Sequence, residues 1–259
     1  MMIRCFMVVA LSVLSAFPAL AETTPAAPPS ASSSFTSTQK QEIQAIIKDY
    51  LVSNPAVMQE SIEALQKHMQ SEQSRKMEGA VRDNLDKLQN TAGLPVAGNP
   101  QGDVTVVEFF DYNCGYCKSV NAEVKALLAE DKNIRLVHRE YPILSQVSKT
   151  AAEAALAANL QGKYLQMHDQ LMGYADHLSE EDVYRIAGEV GLDVTRLRTD
   201  MQSAAIQAEI ASTRALADAI SIRGTPAFVI GTNLYPGALD KSGLVAAVAR
   251  ARAEKSAPR

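Results

Sequence analysis

The sequence predicts an α/β domain with a long helical insertion, preceded by a helical N-terminal extension. Three observations lead to this prediction. The run Val104–Phe110 consists almost entirely of β-branched and aromatic residues, and a short turn with two cysteines and a helical pattern follow it. Helical spacing continues through about residues 145–220, and strand patterns return only after that block. Within residues 39–90, apolar residues repeat at the four-three-four spacing of a coiled-coil seam.

The first 21 residues have the pattern of a signal peptide. Met1–Arg4 is a short basic start, Phe6–Leu14 is an apolar core, and Ala19-Leu-Ala21 is a small-x-small cleavage site. The alternative is a buried helix or a membrane anchor, but the apolar run is too short for a stable span. We therefore expect cleavage after Ala21 and export to the periplasm, which leaves Cys114 and Cys117 as the cysteines of the mature chain.

The region before the α/β domain has two parts. Residues 22–38 are rich in Pro, Ala, Ser and Thr, a composition that predicts a disordered linker. Residues 39–90 are predicted to be helical, with Ser53-Asn54-Pro55 separating two helices because Asn54 suits the N-cap and Pro55 the first helical position.

An apolar seam runs along the second of these helices. Its members are Met58, Ile62, Leu65 and Met69, followed after a polar interruption by Met77, Val81, Leu85 and Leu88. An apolar face this narrow cannot form a hydrophobic core by itself. We expect a homo-oligomer through residues 39–90, with a solvated arm or an intrachain brace as the alternatives.

Residues 91–254 are expected to form the catalytic domain, because glycine and proline mark a boundary over residues 91–103. The predicted strands after the first are Ile134–Glu140, Ala227–Ile230 and Asn233–Tyr235. The predicted helices are Lys118–Ala129, Ala151–Leu160, Lys163–Tyr174, Ser179–Val190, Asp193–Asp200, Ala204–Ile220 and a last one from Asp240 to about Ala253. A thioredoxin fold with a helical insertion has this order of elements. A right-handed crossover makes the first two strands parallel and places Cys114 at the carboxyl end of a central strand.

The spacing Cys114-Gly-Tyr-Cys117 indicates dithiol–disulfide exchange. The pair lies where a strand gives way to a helix N-terminus, whose free N–H groups and dipole stabilise a thiolate. We expect Cys114 to be the exposed nucleophile and Cys117 the thiol that resolves the mixed disulfide. An inert disulfide and half of a zinc site are the alternatives, although the histidines show no ligand-pair spacing.

Glu108 is a third candidate for catalysis. An acid inside an apolar strand is costly to ionise, so we expect its pKa to be raised. Below the resolving thiol, such a group could relay its proton. The alternative is an acid at the end of the strand with a partner at the surface.

Three segments carry a resemblance to a known family. Val107–Lys118, Arg139–Leu144 and Gly224–Gly231 together resemble the DsbA family of bacterial thiol–disulfide oxidoreductases, and Ile47–Met58 resembles the extension of the subgroup related to ScsC, the suppressor of copper sensitivity protein. Glu108 matches the position of the family's buried acid.

The resemblance also bears on the loop before the predicted strand Ala227–Ile230. It implies a cis bond between Thr225 and Pro226 that faces the cysteines, where these two residues would hold an extended client segment beside Cys114. An ordinary turn proline is the alternative. The same resemblance implies that the chain exchanges disulfides with exported proteins that contain cysteines.

The direction of exchange is suggested by the residues between the cysteines. Gly115 and Tyr116, which could also line the client surface, resemble the pair in periplasmic disulfide isomerases, so we expect an isomerase or reductase. A dithiol oxidase is the first alternative, and a copper-tolerance protein that binds Cu(I) through its two thiolates is the second. We expect a membrane redox partner and no cofactor or metal beyond the redox-active Cys114–Cys117 disulfide. A net charge of −4 without a basic block argues against nucleic-acid binding.

Overall fold

The computed structural model describes residues 35–91 and 93–256. The predicted signal peptide and cleavage site, and most of the predicted linker, lie outside the described residues. The chain divides into two compact units, with the boundary between Ser61 and Ile62. None of the described helices combines the length and the apolar character needed to cross a membrane.

The first unit is helical. Helix α1 spans Ser37–Ser53, and helix α2 spans Pro55–Asp83 and continues into the second unit. Thr36 caps α1: its Oγ1 accepts from the Gln39 N–H at 3.3 Å, and Gln39 Oε1 accepts from the Thr36 N–H at 2.9 Å. The helix therefore begins two residues before the predicted start, whereas Pro55 is the first residue of α2 as predicted. None of the residues of α1 is buried, although the structure describes all of them.

The second unit is built on a five-stranded sheet. Its strands are β1 Val96–Gly98, β2 Val104–Phe110, β3 Ile134–Glu140, β4 Ala227–Ile230 and β5 Asn233–Pro236. Their order is β1-β3-β2-β4-β5. Strand β2 pairs parallel with β3 and antiparallel with β4, so the strand that precedes the cysteines is central and buried on both faces, as predicted.

Ten helices are described in the two units together. Those that follow α2 are α3 Leu85–Gln89, α4 Gly115–Glu130, α5 Gln146–Asn159, α6 Tyr164–Gly173, α7 Glu180–Glu189, α8 Val194–Met201, α9 Ala204–Ala219 and α10 Lys241–Ser256. The helical insertion is the block from α5 to α9. Ser179 and Asp182 form a capping box at the start of α7, because each side chain accepts a hydrogen bond from the other residue's backbone N–H.

Side chains alternate between the two faces of β2. Val106 packs with α4 and α10, and Phe110 packs with the insertion and with the cysteines. Val107 and Phe109 point to the opposite face, where they join Leu216 of α9 in a third cluster. This alternation places position 108 on the face that Phe110 shares with the cysteines.

The predicted boundary at residue 90 differs from the observed one. Val81 of α2 and Leu88 of α3 are fully buried among the residues of the third cluster, so the last part of the seam is an intrachain brace. Two arginines of β3 fasten this brace: Arg135 Nη2 donates to the Gln89 carbonyl at 3.0 Å, and Arg139 Nη2 donates to the Leu88 carbonyl at 3.2 Å. Residues from Ile62 onward therefore belong to the same compact unit as the sheet.

Strand β1 lies in the segment that the sequence predicts to be a boundary. It pairs antiparallel with β3, with Val96 opposite Val137. Its last residue, Gly98, has φ +70°, and a Cβ there would lie 2.5 Å from the Ile134 carbonyl oxygen. A strand of three residues that ends in glycine has too short a pattern to be recognised from its alternation.

Candidate active site: a buried dithiol at a helix N-terminus

The two cysteines are placed by the junction of β2 and α4. Cys114 is the N-cap of α4, and Cys117 lies in its first turn. A hydrogen bond from the Cys114 N–H to the Asp111 carbonyl at 3.0 Å closes the turn before the first cysteine. A second, from the Lys118 N–H to the Cys114 carbonyl at 3.1 Å, closes the first turn of the helix. The predicted position at the carboxyl end of a central strand is therefore confirmed.

Both cysteines are free thiols, and both are buried. Cys114 is 6% exposed rather than open to solvent as predicted, and Cys117 is 0% exposed. The difference from the prediction has a local cause: Cys114 Sγ donates a hydrogen bond to the Thr225 carbonyl at 3.3 Å, so the loop before β4 covers it. Cys114 is still the more accessible residue of the two.

Burial strongly affects the second thiol. Loss of solvation raises the pKa of Cys117 far above its usual range, and the neighbouring Cys114 raises it further. Cys117 therefore holds its proton in the dithiol form. It can attack a disulfide only when a neighbouring group accepts that proton.

Glu108 is such a buried group. It is 3% exposed, so the alternative of a strand-end acid at the surface is excluded. Burial raises the pKa of Glu108 to about 8, as expected for an acid inside an apolar strand. Strand alternation places it on the face where Phe110 packs with Cys117. An acid that titrates near neutral pH can exchange a proton on this face of the sheet.

The loop before β4 has the geometry that the family resemblance implies. The peptide bond between Thr225 and Pro226 is cis. The Thr225 carbonyl accepts from Cys114 Sγ, and the Pro226 carbonyl accepts from the Gly237 N–H at 2.9 Å. Pro226 is buried and Thr225 is half-buried, so the loop is a fixed wall beside the first thiol.

The dipeptide between the cysteines faces outward. Gly115 is exposed, and Tyr116 is exposed over 72% of its surface. An aromatic side chain this exposed is available for contact with another molecule, whereas Tyr112 is 1% exposed and packs inside. Of the two tyrosines next to the cysteines, Tyr116 is therefore the one that can line a client surface.

Asp111 is a positioning residue that the sequence analysis missed. Its Oδ1 accepts from the Asn113 N–H at 2.8 Å, and its Oδ2 accepts from the N–H groups of Ile143 and Leu144 at 2.9 and 3.0 Å. The carboxylate thus ties the cysteine turn to the loop after β3. The signal in the sequence is an aspartate directly after a strand, where it can form an Asx turn.

A buried polar cluster next to the site was also missed. Glu140 Oε1 accepts from the hydroxyls of Tyr112 at 2.8 Å and Tyr164 at 2.7 Å, and the Tyr112 hydroxyl lies 3.1 Å from His168 Nδ1. The centroids of the His138 and His168 rings are 4.3 Å apart.

Burial keeps the ionisable members of this cluster neutral. It raises the pKa of Glu140 well above its usual value, and it lowers the pKa of His138 well below its usual value and that of His168 to about 3. Within the described residues, no three His, Cys, Asp or Glu side chains are grouped as metal ligands would be. The cluster is therefore a neutral hydrogen-bonded support for the turn that carries Tyr112.

Comparison with solved structures gives close relatives. A thioredoxin-like oxidoreductase from Silicibacter pomeroyi DSS-3 is 52% identical, covers 66% of this chain and 98% of its own, and superposes with a TM-score of 0.64. ScsC of Proteus mirabilis in a transitional conformation is 25% identical, covers 85% of this chain and 98% of its own, and has a TM-score of 0.62.

Curated relatives include the Na(+)/H(+) antiporter NhaA 3 of Salinispora tropica, which is 35% identical over 155 residues. The match covers 59% of this chain and 24% of that protein, so the chain spans about a quarter of the length of these relatives.

Residues 39–71 match the copper resistance protein ScsC N-terminal domain. Residues 105–249 match the DSBA-like thioredoxin domain, and this match covers more than half of the chain. The chain therefore belongs to the DSBA-like thioredoxin domain family, with an ScsC-type N-terminal region.

Proposed function

We propose that this protein is a periplasmic thiol–disulfide oxidoreductase that acts on exported proteins as a disulfide isomerase or reductase. The observation that carries the proposal is the Cys114–Cys117 pair at the N-terminus of α4, with Cys114 Sγ bonded to Thr225 beside the cis bond to Pro226. Membership of the DSBA-like family supports the chemistry. The signal-like pattern of residues 1–21 supports export.

The first step is attack on a client disulfide. The Cys114 thiolate attacks one client sulfur, a mixed disulfide forms, and the second client sulfur leaves as a thiolate. Thr225 and Pro226 line the approach, and an extended client segment can pair with the backbone of this loop. Gly115 and Tyr116 supply the exposed surface on the other side of the nucleophile.

The second step separates reduction from isomerisation. In reduction, Glu108 accepts the proton of Cys117, the Cys117 thiolate attacks Cys114 Sγ, and the client leaves with two thiols while the Cys114–Cys117 disulfide forms. In isomerisation, a client thiol displaces Cys114 instead, so the pair stays reduced. A membrane redox partner then returns the oxidised pair to the dithiol form.

Association of several chains supports the isomerase proposal. The exposed apolar residues of the first unit include Ile46, Ile47 and Tyr50, and the match to the ScsC N-terminal domain covers this region. We propose that copies of this chain cover these residues in a homo-oligomer. Several catalytic domains around one base would surround a misfolded client and hinder docking to an oxidase.

Trapping of the mixed disulfide tests the assignment of the two thiols. In Cys117→Ala the first step proceeds but the resolving thiol is absent, so covalent complexes with cysteine-containing clients should accumulate and should disappear on reduction. Cys114→Ala is the matched control, in which no complex should form. Complexes that depend on Cys117 rather than on Cys114 would reverse the assignment. Turnover without copper separates exchange from the alternative of a Cu(I)-binding protein.

A further inference from the structure

The connection between α6 and α7 is fastened to both sides of the cysteine motif. We call residues 174–178 the rim segment. Asn113, which precedes the first cysteine, accepts at its Oδ1 from the Leu178 N–H at 2.9 Å. Lys118, which follows the second cysteine, donates from Nζ to the carbonyls of Tyr174 at 2.7 Å and Asp176 at 2.6 Å. Three hydrogen bonds therefore hold the rim segment against the two residues that flank the redox pair.

The lysine contacts are not those of a solvated surface side chain. Lys118 is half-buried, and its ammonium also lies 5.8 Å from the centre of the Tyr174 ring. Partial burial lowers the pKa of Lys118, while the Asp176 carboxylate acts in the opposite direction. Charge-assisted hydrogen bonds from an ammonium to two carbonyls are stronger than neutral ones and fix the position of the loop.

The rim segment is also fixed at its far end, and its middle is exposed. It leads directly into the capping box at Ser179. Ala175, Asp176 and His177 are exposed, whereas Leu178 is buried and anchors the loop. A backbone held at both ends with three exposed side chains between them is suited to contact a second molecule at low cost in conformational entropy.

We propose that the rim segment is a specificity-determining wall of the client site, positioned by Asn113 and Lys118, and that it contacts the extended polypeptide that flanks a client cysteine. This inference rests on the exchange activity proposed above. A small disulfide needs to reach only Cys114, whereas a protein client extends beyond the thiol toward the residues that border the motif. The rim segment therefore affects exchange with proteins and leaves exchange with small disulfides unchanged.

The test compares Lys118→Met with a matched control in the full chain. Lys163 Nζ makes the same kind of contact elsewhere, with the carbonyls of Val190 at 2.9 Å and Gly191 at 2.7 Å. Lys163→Met therefore removes an equivalent loop contact away from the cysteines. A third variant, Ala175→Glu, changes an exposed position of the rim segment and leaves all its anchoring bonds in place.

Each variant is assayed with two substrates, an unfolded disulfide-bonded protein and oxidised glutathione, and its reduction potential is measured against glutathione. For the protein substrate, we expect Lys118→Met and Ala175→Glu to raise KM by about 3- to 10-fold with little change in kcat. For glutathione, both variants should match the unaltered protein, and so should their reduction potentials. Lys163→Met should match it in every assay.

Two results would overturn the proposal. Equal losses with both substrates, or a changed potential in Lys118→Met, would mean that Lys118 acts on the thiols themselves. Unchanged KM for the protein substrate in both rim variants would mean that clients do not reach this segment. If the unaltered chain exchanges with neither substrate, the proposed function itself fails, and that outcome is distinguishable because it appears before any variant is compared.

Discussion

Replacing Glu108 by glutamine should remove a pH dependence of stability that the buried acid creates. In the folded protein the pKa of Glu108 is about 8, whereas the ordinary pKa of this carboxyl is 4.5. Between these values the folded state retains a proton that the unfolded state releases. The contribution of Glu108 to stability is therefore greatest below pH 4.5 and falls as the pH rises toward 8.

The size of this effect follows from the linkage relation. Each pH unit inside the window costs at most about 1.4 kcal/mol, so the contribution of Glu108 decreases by about 2.5 kcal/mol between pH 5 and pH 7. Glutamine has nearly the same shape and carries no titrating proton. Relative to the unaltered chain, Glu108→Gln should therefore gain about 2.5 kcal/mol of stability over the same interval.

The assay is urea unfolding of the reduced protein at pH 5, 6 and 7. The contributions of His138 and His168 are common to the variant and the unaltered chain, so they cancel in the difference. The difference then reports the loss of the Glu108 carboxyl, including its effect on Glu140, whose pKa the Glu108 charge raises. Glu181→Gln, at an exposed position of α7, is the control and should show no such trend. A difference that changes by less than about 1 kcal/mol across the interval would refute the placement of Glu108 as a buried, protonated acid.

Two further changes test the brace and the polar cluster. Leu88→Ala removes a fully buried side chain of the brace and should lower the free energy of unfolding in urea by about 2–5 kcal/mol. Leu160→Ala, at a 55% exposed position, is the control and should lower it far less. Equal losses of stability in the two variants would contradict the packing of α3. Glu140→Gln keeps an acceptor for the hydroxyls of Tyr112 and Tyr164, and it removes a proton that only the folded chain retains at pH 7. It should therefore not lower the stability at pH 7, and a loss of more than about 1 kcal/mol would show that Glu140 is ionised in the folded protein.

The sequence predicted the parts of the fold whose patterns are local and long enough. Strands β2 and β3 have the predicted bounds because β2 is an almost continuous apolar run and β3 has the alternation of a strand. Neither signal needs knowledge of the partner strand. The burial of Glu108 followed from the same run of residues. The capping box of α7 was recognisable because its two members, Ser179 and Asp182, are three residues apart.

Features that depend on distant residues were not predictable in this way. Cys114 is covered by Thr225, which lies 111 positions further along the chain, and the Tyr112 hydroxyl meets His168 from 56 positions away. The seam has helical spacing on both sides of its polar interruption, yet Leu65 is exposed and Leu88 is buried. Periodicity shows which face of a helix is apolar and does not show what covers it.

The buried brace also decides how the role of the N-terminal region is tested. A chain that began near Gly93 would lose Val81 and Leu88 from its core, so a truncation there confounds oligomerisation with folding. A charge on the exposed stripe of the first unit avoids this problem. Ile46→Glu places a carboxylate at a 67% exposed apolar position, and Gln41→Glu is the control at an exposed polar position of the same helix.

The most direct measurement is the reactivation of a scrambled, disulfide-bonded test protein by the full chain without copper, with the oligomeric state of each variant measured in parallel. We predict that the unaltered chain and Gln41→Glu reactivate the test protein. Ile46→Glu should lose both self-association and reactivation while still exchanging with glutathione, and Cys114→Ala should neither reactivate the test protein nor exchange with glutathione. If the unaltered chain only introduces disulfides into a reduced protein, and Ile46→Glu does so equally well, the isomerase assignment is wrong and the protein is a dithiol oxidase.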